Sequence, residues 1–307
     1  MSGVATDRSV RSLLKQGISH LRTANVPSFT LAAELLLLHV AGHDRAWLYA
    51  HPEEILSTEM TNHYFALIER RASGEPTQHL TGKQEFWGLE FEVNPDVLIP
   101  RPETEHLIEV ALDRLALREL RAGRSPCLTG NGIILVDIGT GSGCIAIALA
   151  KELSDATVYA ADISSSALAV ARRNAARLGF SDRIYFLESN LFEEFSPLAT
   201  RHSPLSFDLI VSNPPYVGRR TAETLAREVR EHEPEVALYG GEEGYEFYAE
   251  LLAQSHEFLK PGGLLVLELG HDSLPAVQPL LESRHWTNLG VTNDLAGIPR
   301  VLAVERI

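Results

Sequence analysis

Hydrophobic positions in residues 1–73 recur at the three- to four-residue spacing of amphipathic helices. In the first of these patterns the apolar positions are Val10, Leu14, Ile18 and Leu21. The stretch LAAELLLLHVA at 31–41 is too short to cross a bilayer and contains Glu34, so it reads as a buried helix. The pattern predicts a small helical domain over residues 1–73.

The hydrophobic period changes within residues 74–102. Leu89, Phe91 and Val93 alternate with Glu90 and Glu92, and Gly82 and Gly88 punctuate this pattern as turn residues. This alternation in residues 78–95 predicts a β-hairpin, and residues 74–102 are expected to link two domains. Pro102 then lies near the start of an amphipathic helix.

Short apolar runs alternate with amphipathic helical patterns from residue 133 onward. The apolar runs are IILVDIG, TVYAADI, RIYFLE, FDLIVSN and GGLLVLELG, and the last stretch, TNLGVTNDLAGIPRVLAVERI, reads as a terminal hairpin. Strands alternating with helices predict a mostly parallel sheet covered on both faces. Residues 103–307 are therefore expected to form a doubly wound α/β domain.

Composition and charge narrow the choice of partners. The chain has 307 residues, 45% of them hydrophobic, and a formal charge of −14. Residues 1–85 hold 8 basic and 9 acidic residues, so the acidic excess lies beyond them. Such a chain lacks the overall basic character that neutralises many phosphates, and stable nucleic-acid binding is not expected.

The cysteine content and the N-terminal sequence bear on the compartment. Cys127 and Cys144 are the two cysteines, and the N-terminus MSGVATDRSV has no signal-peptide core. We therefore expect a cytoplasmic protein without a membrane segment or a metal site. A monomer is the default expectation, because no pattern in the sequence determines the oligomeric state.

A glycine-rich loop follows the first strand of the α/β pattern. The loop reads Gly139, Thr140, Gly141, Ser142 and Gly143, which is not the Gly-x-Gly-x-x-Gly spacing that seats a pyrophosphate. Asp162 ends the next strand, where an acid can hold ribose hydroxyls. Together these features suggest a nucleoside ligand without phosphates, and S-adenosylmethionine fits that description. The alternative for Asp162 is a helix N-cap.

The strand FDLIVS at 207–212 ends in Asn213, Pro214, Pro215 and Tyr216. The two prolines make this segment stiff and poor in donors. In a doubly wound sheet it should face the glycine loop across one crevice. The Asn213 side-chain oxygen and the Pro214 carbonyl could accept both hydrogens of a planar amide and orient its nitrogen toward a methyl donor, while Tyr216 supplies a face for the planar group.

The motif (D/N/S)-P-P-(Y/F/W) is that of amino-methyltransferases, and the chain as a whole resembles the PrmC/HemK-type release factor glutamine methyltransferases. The resemblance extends over nearly the full length. Its specific parts are QHLTGKQEFWGLEF and VLIPRPETE before the glycine loop, and HEPEVALYGGEEGYEFY after the proline motif. Members of this family use S-adenosylmethionine to methylate the side-chain amide nitrogen, N5, of the glutamine in the Gly-Gly-Gln motif of peptide-chain release factors.

The resemblance implies a role for each matching position. The loop Gly139–Gly143 would line the methionine and ribose of the donor, and Asp162 would bind the ribose. Asn190 and Leu191 fall at the adenine-contacting pair, although members often have Asp where this chain has Asn190. Asn213–Tyr216 would hold the substrate glutamine, and Asn213 would also lie against the donor.

Two parts of the family pattern have less specific assignments. The helical domain resembles the family's substrate-docking domain, with a stabilising appendage as the alternative. Arg101, Glu103 and Thr104 belong to the family's Arg-Pro-Glu-Thr-Glu segment, and a structural link between domains explains them as well as a role in the site.

Three other functions share some of these features. A glutamine methyltransferase of a ribosomal protein would use the same chemistry with another docking partner. A DNA adenine-N6 methyltransferase would use the same proline motif but would need to flip a base and grip phosphates. A donor-binding regulator without enzymatic activity would have no use for Asn213 and Tyr216.

Overall fold

The computed structural model describes residues 7–123, 132–195 and 205–307. They divide into two compact units, one of Met1–Lys83 with Ala226–His232 and the other of Gln84–Leu225 with Glu233–Ile307. Cys127 lies outside the described residues, and Cys144 is a buried free thiol. Within the described ranges, no helix is both long and apolar enough to cross a membrane.

The smaller unit is helical, as its hydrophobic period predicts. Its helices are α1 (Val10–Thr23), α2 (Phe29–Ala41), α3 (Arg45–Ala50), α4 (Thr58–Ala72), α5 (Thr77–Thr81) and, from later in the chain, α9 (Arg227–His232). The stretch predicted as a buried helix is α2, which packs Ala33, Leu36 and Leu37 into the core. Its buried Glu34 accepts hydrogen bonds from Arg45 at 2.8 Å and from the Tyr49 hydroxyl at 3.0 Å, so the carboxylate is satisfied.

The sequence did not indicate that α9 belongs with this helical unit. Arg71 of α4 is almost fully buried and pairs with Glu228 of α9 at 2.6 Å. A segment from the second half of the chain thus completes the smaller unit.

The predicted hairpin forms, but it is shorter than its sequence pattern. Its strands are β1 (Lys83–Phe86) and β2 (Leu89–Glu92), joined by Trp87 and Gly88, which both have positive φ. Residues 78–81, which we expected in the hairpin, instead belong to α5. Gly82, in the left-handed conformation, ends that helix, so the two-residue alternation begins only at Lys83.

The larger unit is built on a seven-stranded sheet of the order β5-β4-β3-β6-β7-β9-β8. The strands are β3 (Ile134–Ile138), β4 (Thr157–Asp162), β5 (Ile184–Glu188), β6 (Phe207–Ser212), β7 (Leu259–Glu268), β8 (Trp286–Asn293) and β9 (Pro299–Arg306). The first five are parallel, whereas β9 is antiparallel to both β7 and β8. This confirms the doubly wound sheet and the terminal hairpin.

Helices cover both faces of this sheet. They are α6 (Glu105–Arg121), α7 (Cys144–Glu152), α8 (Ser165–Leu178), α10 (Glu235–Leu238), α11 (Glu246–Phe258) and α12 (Leu274–Val277). Every residue of β6 is buried, which explains its mostly apolar sequence. Two apolar cores result, one around α6 and α7 and one around α11.

Candidate active site

The carboxyl ends of β3, β4 and β6 meet at one edge of the sheet, where a cavity of about 530 Å³ opens. Of the residues predicted for the site, seven line it: Gly139, Gly141, Asp162, Asn190, Leu191, Asn213 and Pro215. Thr140, Ser142, Gly143, Pro214 and Tyr216 lie beside this group without lining the cavity. The volume is in the range of small-molecule sites, which commonly hold about 300–1,000 Å³.

The glycine loop reaches the cavity through backbone. Gly141 has φ 54°, and a Cβ built there would meet no atom within 4 Å. A ligand can therefore approach this backbone closely. Thr140 points away, because its hydroxyl donates to the Asp137 carboxylate at 2.7 Å.

Asp162 is tied to the glycine loop. Its two carboxylate oxygens accept hydrogen bonds from the Gly141 N–H at 2.8 Å and the Ser164 N–H at 2.9 Å. The side chain that caps α8 is that of Ser164, so Asp162 is not the N-cap that we considered as its alternative role. Burial raises the pKa of Asp162, and these hydrogen bonds partly offset that rise.

Asp137, at the penultimate position of β3, has a place in the site that the sequence analysis missed. It is fully buried, and burial raises the pKa of its carboxyl group to about 7, with Asp162 adding to the rise. One of its oxygens accepts from Thr140 and from the Ala146 N–H, and the other, Oδ1, has no partner among the described residues. Asp137 thus holds the glycine loop through Thr140. The acidic residue inside the otherwise apolar run ILVDI was the sequence feature that could have revealed this role.

Asn190 and Leu191 form a turn at the cavity wall. Leu191 has φ 48°, which is uncommon for a residue with a side chain. The Ser189 hydroxyl stabilises the turn by donating to the Leu191 carbonyl at 3.0 Å. The Asn190 amide nitrogen donates to Glu193 at 3.0 Å, which leaves the Asn190 side-chain oxygen available as an acceptor.

Asn213 has one defined side-chain partner. Its amide nitrogen, Nδ2, donates to the hydroxyl of Thr104 at 3.1 Å, so its oxygen Oδ1 is left for another donor. Within the described part of the chain, no backbone N–H donates to the Pro214 carbonyl. The two acceptors predicted to hold a substrate amide are thus not consumed by the described protein groups.

Tyr216 packs beside these acceptors rather than lining the cavity. A Cβ at Gly270 would fall 2.5 Å from the Tyr216 ring, so ring and backbone are in direct contact there. Burial raises the pKa of the Tyr216 phenol to about 12, with a contribution from Glu268. The phenol therefore stays protonated at neutral pH.

The segment after the proline motif supports it through backbone contacts. The Val217 N–H donates to the Leu238 carbonyl at 2.9 Å, and the Gly240 N–H donates back to the Val217 carbonyl at 3.1 Å. A Cβ at Gly240 would fall 2.2 Å from the Pro215 carbonyl oxygen, so this approach requires glycine. This contact explains why YGGEEG accompanies NPPY in the sequence.

Two further segments, both missed as site residues, contribute to the cavity. Asp96, Val97 and Leu98 line one wall, and Arg219 lines another, paired with Glu235 at 3.2 Å. Arg101 does not line the cavity. Its guanidinium pairs with the buried carboxylate of Glu233, which also accepts from the Ile99 N–H.

Comparison with known proteins places this geometry in a family. A protein-family model described as "PrmC N-terminal domain" matches residues 12–82, and a second, described as "Methyltransferase domain", matches residues 130–288. A release factor glutamine methyltransferase from Koribacter versatilis is 44% identical over 294 residues, which cover 96% of this chain and 97% of that one. The chain belongs to the release factor glutamine methyltransferases.

Another member agrees with this membership, and a solved structure of lower identity shares the fold. The release factor glutamine methyltransferase of Burkholderia pseudomallei is 41% identical and covers 89% of this chain and 91% of its own. The catalytic domain of hMettl16, solved with an RNA hairpin, superposes with a TM-score of 0.53 at 18% identity, covering 77% of this chain and 81% of that one. That likeness shows the methyltransferase fold alone. Family membership makes this chain a methyltransferase, and the predicted fold class is confirmed.

Proposed function

We propose that this chain transfers the methyl group of S-adenosylmethionine to the side-chain amide nitrogen, N5, of the glutamine in the Gly-Gly-Gln motif of peptide-chain release factors. The observation that carries the proposal is the arrangement of Asn213. Its Nδ2 is engaged by Thr104, and its Oδ1 remains as an acceptor at a cavity lined by the glycine loop and Asp162. The curated relatives, which share most of this chain's length, bear the corresponding name.

The cavity suits a methyl donor that combines a nucleoside with a cationic tail. Arg219 and Glu235 line it as an ion pair, so Asp96 and Asp162 leave the lining acidic. This acidic lining favours a sulfonium cation and disfavours a phosphate. S-adenosylmethionine, when bound, supplies the activated methyl group.

The donor would be held by residues from three strand ends. Backbone of Gly139–Gly143 would lie along its methionine and ribose, and Asp162 would accept from ribose hydroxyls with lone pairs not used by Gly141 and Ser164. The Asn190 oxygen would accept from the adenine amino group. Leu191 would pack against the adenine ring. Members of the family often have Asp at this position, whose carboxylate offers two acceptor oxygens, whereas the Asn190 amide offers one.

The acceptor glutamine would be held between Asn213 and Pro214. An amide nitrogen is a weak nucleophile because its lone pair is delocalised, but its two N–H groups need acceptors. Asn213 Oδ1 and the Pro214 carbonyl would take one hydrogen each and orient the nitrogen toward the methyl group. Their partial negative charges would also favour the positive charge that develops on nitrogen. Pro215 and Tyr216 would keep this segment rigid and flank the planar amide. As the bond from nitrogen to the methyl carbon forms, the sulfur–methyl bond breaks and S-adenosylhomocysteine leaves with the electron pair; the methylated nitrogen, now strongly acidic, then releases one of its hydrogens as a proton.

We further propose that residues 1–73 form a domain that docks the release factor, with residues 74–102 as linker and 103–307 as methyltransferase domain. One glutamine in a small loop offers little by which to distinguish proteins, so a second contact surface is physically sensible. The substrate implies a cytoplasmic enzyme, and we propose that it works as a monomer without stable nucleic-acid binding.

A methyl-transfer assay with labelled S-adenosylmethionine tests the function. The purified enzyme would be offered an unmethylated release factor, the same factor with alanine in place of the Gly-Gly-Gln glutamine, ribosomal protein and unmethylated DNA. We expect label in the intact release factor alone. Label in DNA or ribosomal protein, or equal label in both release factors, would refute the proposal.

A further inference from the structure

Asn174 of α8 is a fully buried polar residue to which the family resemblance assigned no role. Its Oδ1 accepts a hydrogen bond from the Glu92 N–H at 2.7 Å, and its Nδ2 donates to the Glu92 carbonyl at 3.0 Å. Nδ2 also donates to the Ser142 carbonyl at 3.0 Å. One side-chain amide therefore joins β2 of the hairpin to the glycine loop.

The chemistry of these partners fixes the direction of the Asn174 amide. A backbone N–H can only donate and a carbonyl can only accept, so Oδ1 must face the Glu92 N–H and Nδ2 must face the two carbonyls. Both hydrogens of Nδ2 are used, and Oδ1 also accepts from the Arg177 guanidinium at 3.3 Å. Asn174 does not line the cavity, so it can act on a ligand only through the segments that it holds.

The glycine loop depends on Asn174 at its buried residue, Ser142. Within the described ranges, no backbone N–H donates to the Ser142 carbonyl, which makes Asn174 its donor. A buried carbonyl without a donor is unfavourable. Without Asn174 the loop would therefore move to satisfy this carbonyl, and it would carry with it Gly141, whose backbone faces the cavity.

The other partner of Asn174 leads to a second wall of the same cavity. β2 ends at Glu92, and the chain then reaches Asp96, Val97 and Leu98, which line the cavity. The intervening segment packs on α8 in a buried cluster of Val93, Val97, Ala167 and Val170. Helix α8 thus holds this wall through Glu92 and the apolar cluster, and the glycine loop through Ser142.

We propose that Asn174 is a positioning residue for the methyl donor, which fixes the glycine loop relative to residues 96–98 before the donor binds. The inference rests on the proposed function for the identity of that donor. Without Asn174 the donor would have to order two segments as it binds, and this ordering lowers affinity. By linkage, a bound donor must in turn stabilise the contacts of Asn174.

Calorimetry with S-adenosylmethionine measures the effect of removing these contacts. Asn174→Ala should weaken donor binding about tenfold, because the buried hydrogen bond that holds the glycine loop is lost. Arg173→Gln is the matched control on the same helix, because the Arg173 guanidinium pairs with the Glu92 side chain at 2.7 Å and not with the glycine loop. It should bind the donor within about twofold of wild type, since exposed ion pairs contribute little.

A second control separates positioning from a general loss of stability. Leu115 of α6 is fully buried in the same unit and does not line the cavity. Leu115→Ala should lower the melting temperature by leaving a void, but donor affinity should stay within about twofold of wild type. Unchanged affinity in Asn174→Ala would overturn the proposal, and so would an equal loss of affinity in Leu115→Ala.

Amide hydrogen exchange in the wild-type enzyme, followed by NMR, tests the linkage without any substitution. The Glu92 N–H, which donates to Asn174, should exchange about tenfold more slowly with saturating S-adenosylmethionine than without it. The Trp87 N–H is the matched control, because it lies in the same hairpin but donates to the Glu105 side chain at 2.7 Å, and its exchange should be unchanged. An equal exchange rate of the Glu92 N–H with and without donor would overturn the proposal, even if Asn174→Ala failed to fold.

The proposed function and this inference fail in different ways. Methyl transfer to another acceptor would refute the proposed substrate and leave both donor experiments valid. A wild-type enzyme that binds no S-adenosylmethionine would refute the proposed donor, and exchange in the ligand-free proteins would then decide the role of Asn174. The Gly143 N–H, which donates to the Thr140 carbonyl within the loop, should exchange faster in Asn174→Ala than in wild type and Arg173→Gln. Equal rates in all three proteins would overturn the inference.

Discussion

Replacing Glu268 by glutamine should change the pH dependence of the enzyme's stability. Burial raises the pKa of Glu268 from 4.5 to about 7, with the Thr104 hydrogen bond and the charges of Arg300 and Arg101 opposing the rise. The folded state therefore binds this proton more tightly than the unfolded state. The resulting contribution to stability is complete below pH 4.5 and is lost as the pH rises through 7.

The size of the effect follows from the two pKa values. A pKa difference of one corresponds to about 1.4 kcal/mol, so ionising Glu268 in the folded protein costs up to about 3 kcal/mol of unfolding free energy. Glutamine does not titrate. The unfolding free energy of Glu268→Gln minus that of wild type should thus become more positive by up to about 3 kcal/mol between pH 5 and pH 8.5. Asp137 titrates in the same window, but it is present in both proteins and cancels in the comparison.

Urea unfolding at several pH values measures this difference. A Trp47→Phe background removes the tryptophan of the smaller unit, so that Trp87 and Trp286 report on the larger one. Glu250→Gln, at an exposed position, serves as the matched control. If the Glu268→Gln difference does not change with pH, Glu268 ionises as easily in the folded as in the unfolded protein, and the account of its burial is wrong.

Three further substitutions address the site itself. Asn213→Ala removes one acceptor and should lower turnover by on the order of 10²- to 10³-fold with unchanged donor affinity, and a wild-type rate would rule out its role. Asp162→Ala should weaken donor binding by roughly 10- to 100-fold, because charge-assisted hydrogen bonds to the donor are lost. Unchanged donor affinity in calorimetry would mean that Asp162 only stabilises the glycine loop. Gly240→Ala places a Cβ 2.2 Å from the Pro215 carbonyl oxygen, so it should destabilise the protein by roughly 1–3 kcal/mol and lower turnover. A variant with wild-type melting temperature and rate would contradict the close approach.

The sequence alone was sufficient for the fold class and for seven of the residues that line the cavity, because these depend on local patterns. The alternation of strands and helices predicted the sheet, and strand ends carry their motifs to one edge of it. The hairpin limits were less well predicted, since residues 77–81 form a short helix that the two-residue alternation of the following strands does not reveal.

The hydrophobic and polar pattern of the sequence could not predict contacts between segments that are distant along the chain. Thr104 and Asn213 are 109 positions apart, and nothing in either neighbourhood indicates that they touch. The same is true of Arg101 with Glu233, which are 132 positions apart. The family resemblance marked the Arg-Pro-Glu-Thr-Glu segment as specific, but only the folded structure shows that its threonine, Thr104, accepts a hydrogen bond from Asn213.

The most direct test of the central claim is to locate the methyl group on the product. Purified enzyme, unmethylated release factor and S-adenosylmethionine would be incubated together, and the factor digested and sequenced by tandem mass spectrometry. The account predicts one added methyl group on the side-chain amide of the Gly-Gly-Gln glutamine, and almost none with Asn213→Ala under the same conditions. A methyl group on any other residue, or on that glutamine to the same extent with Asn213→Ala, would contradict it.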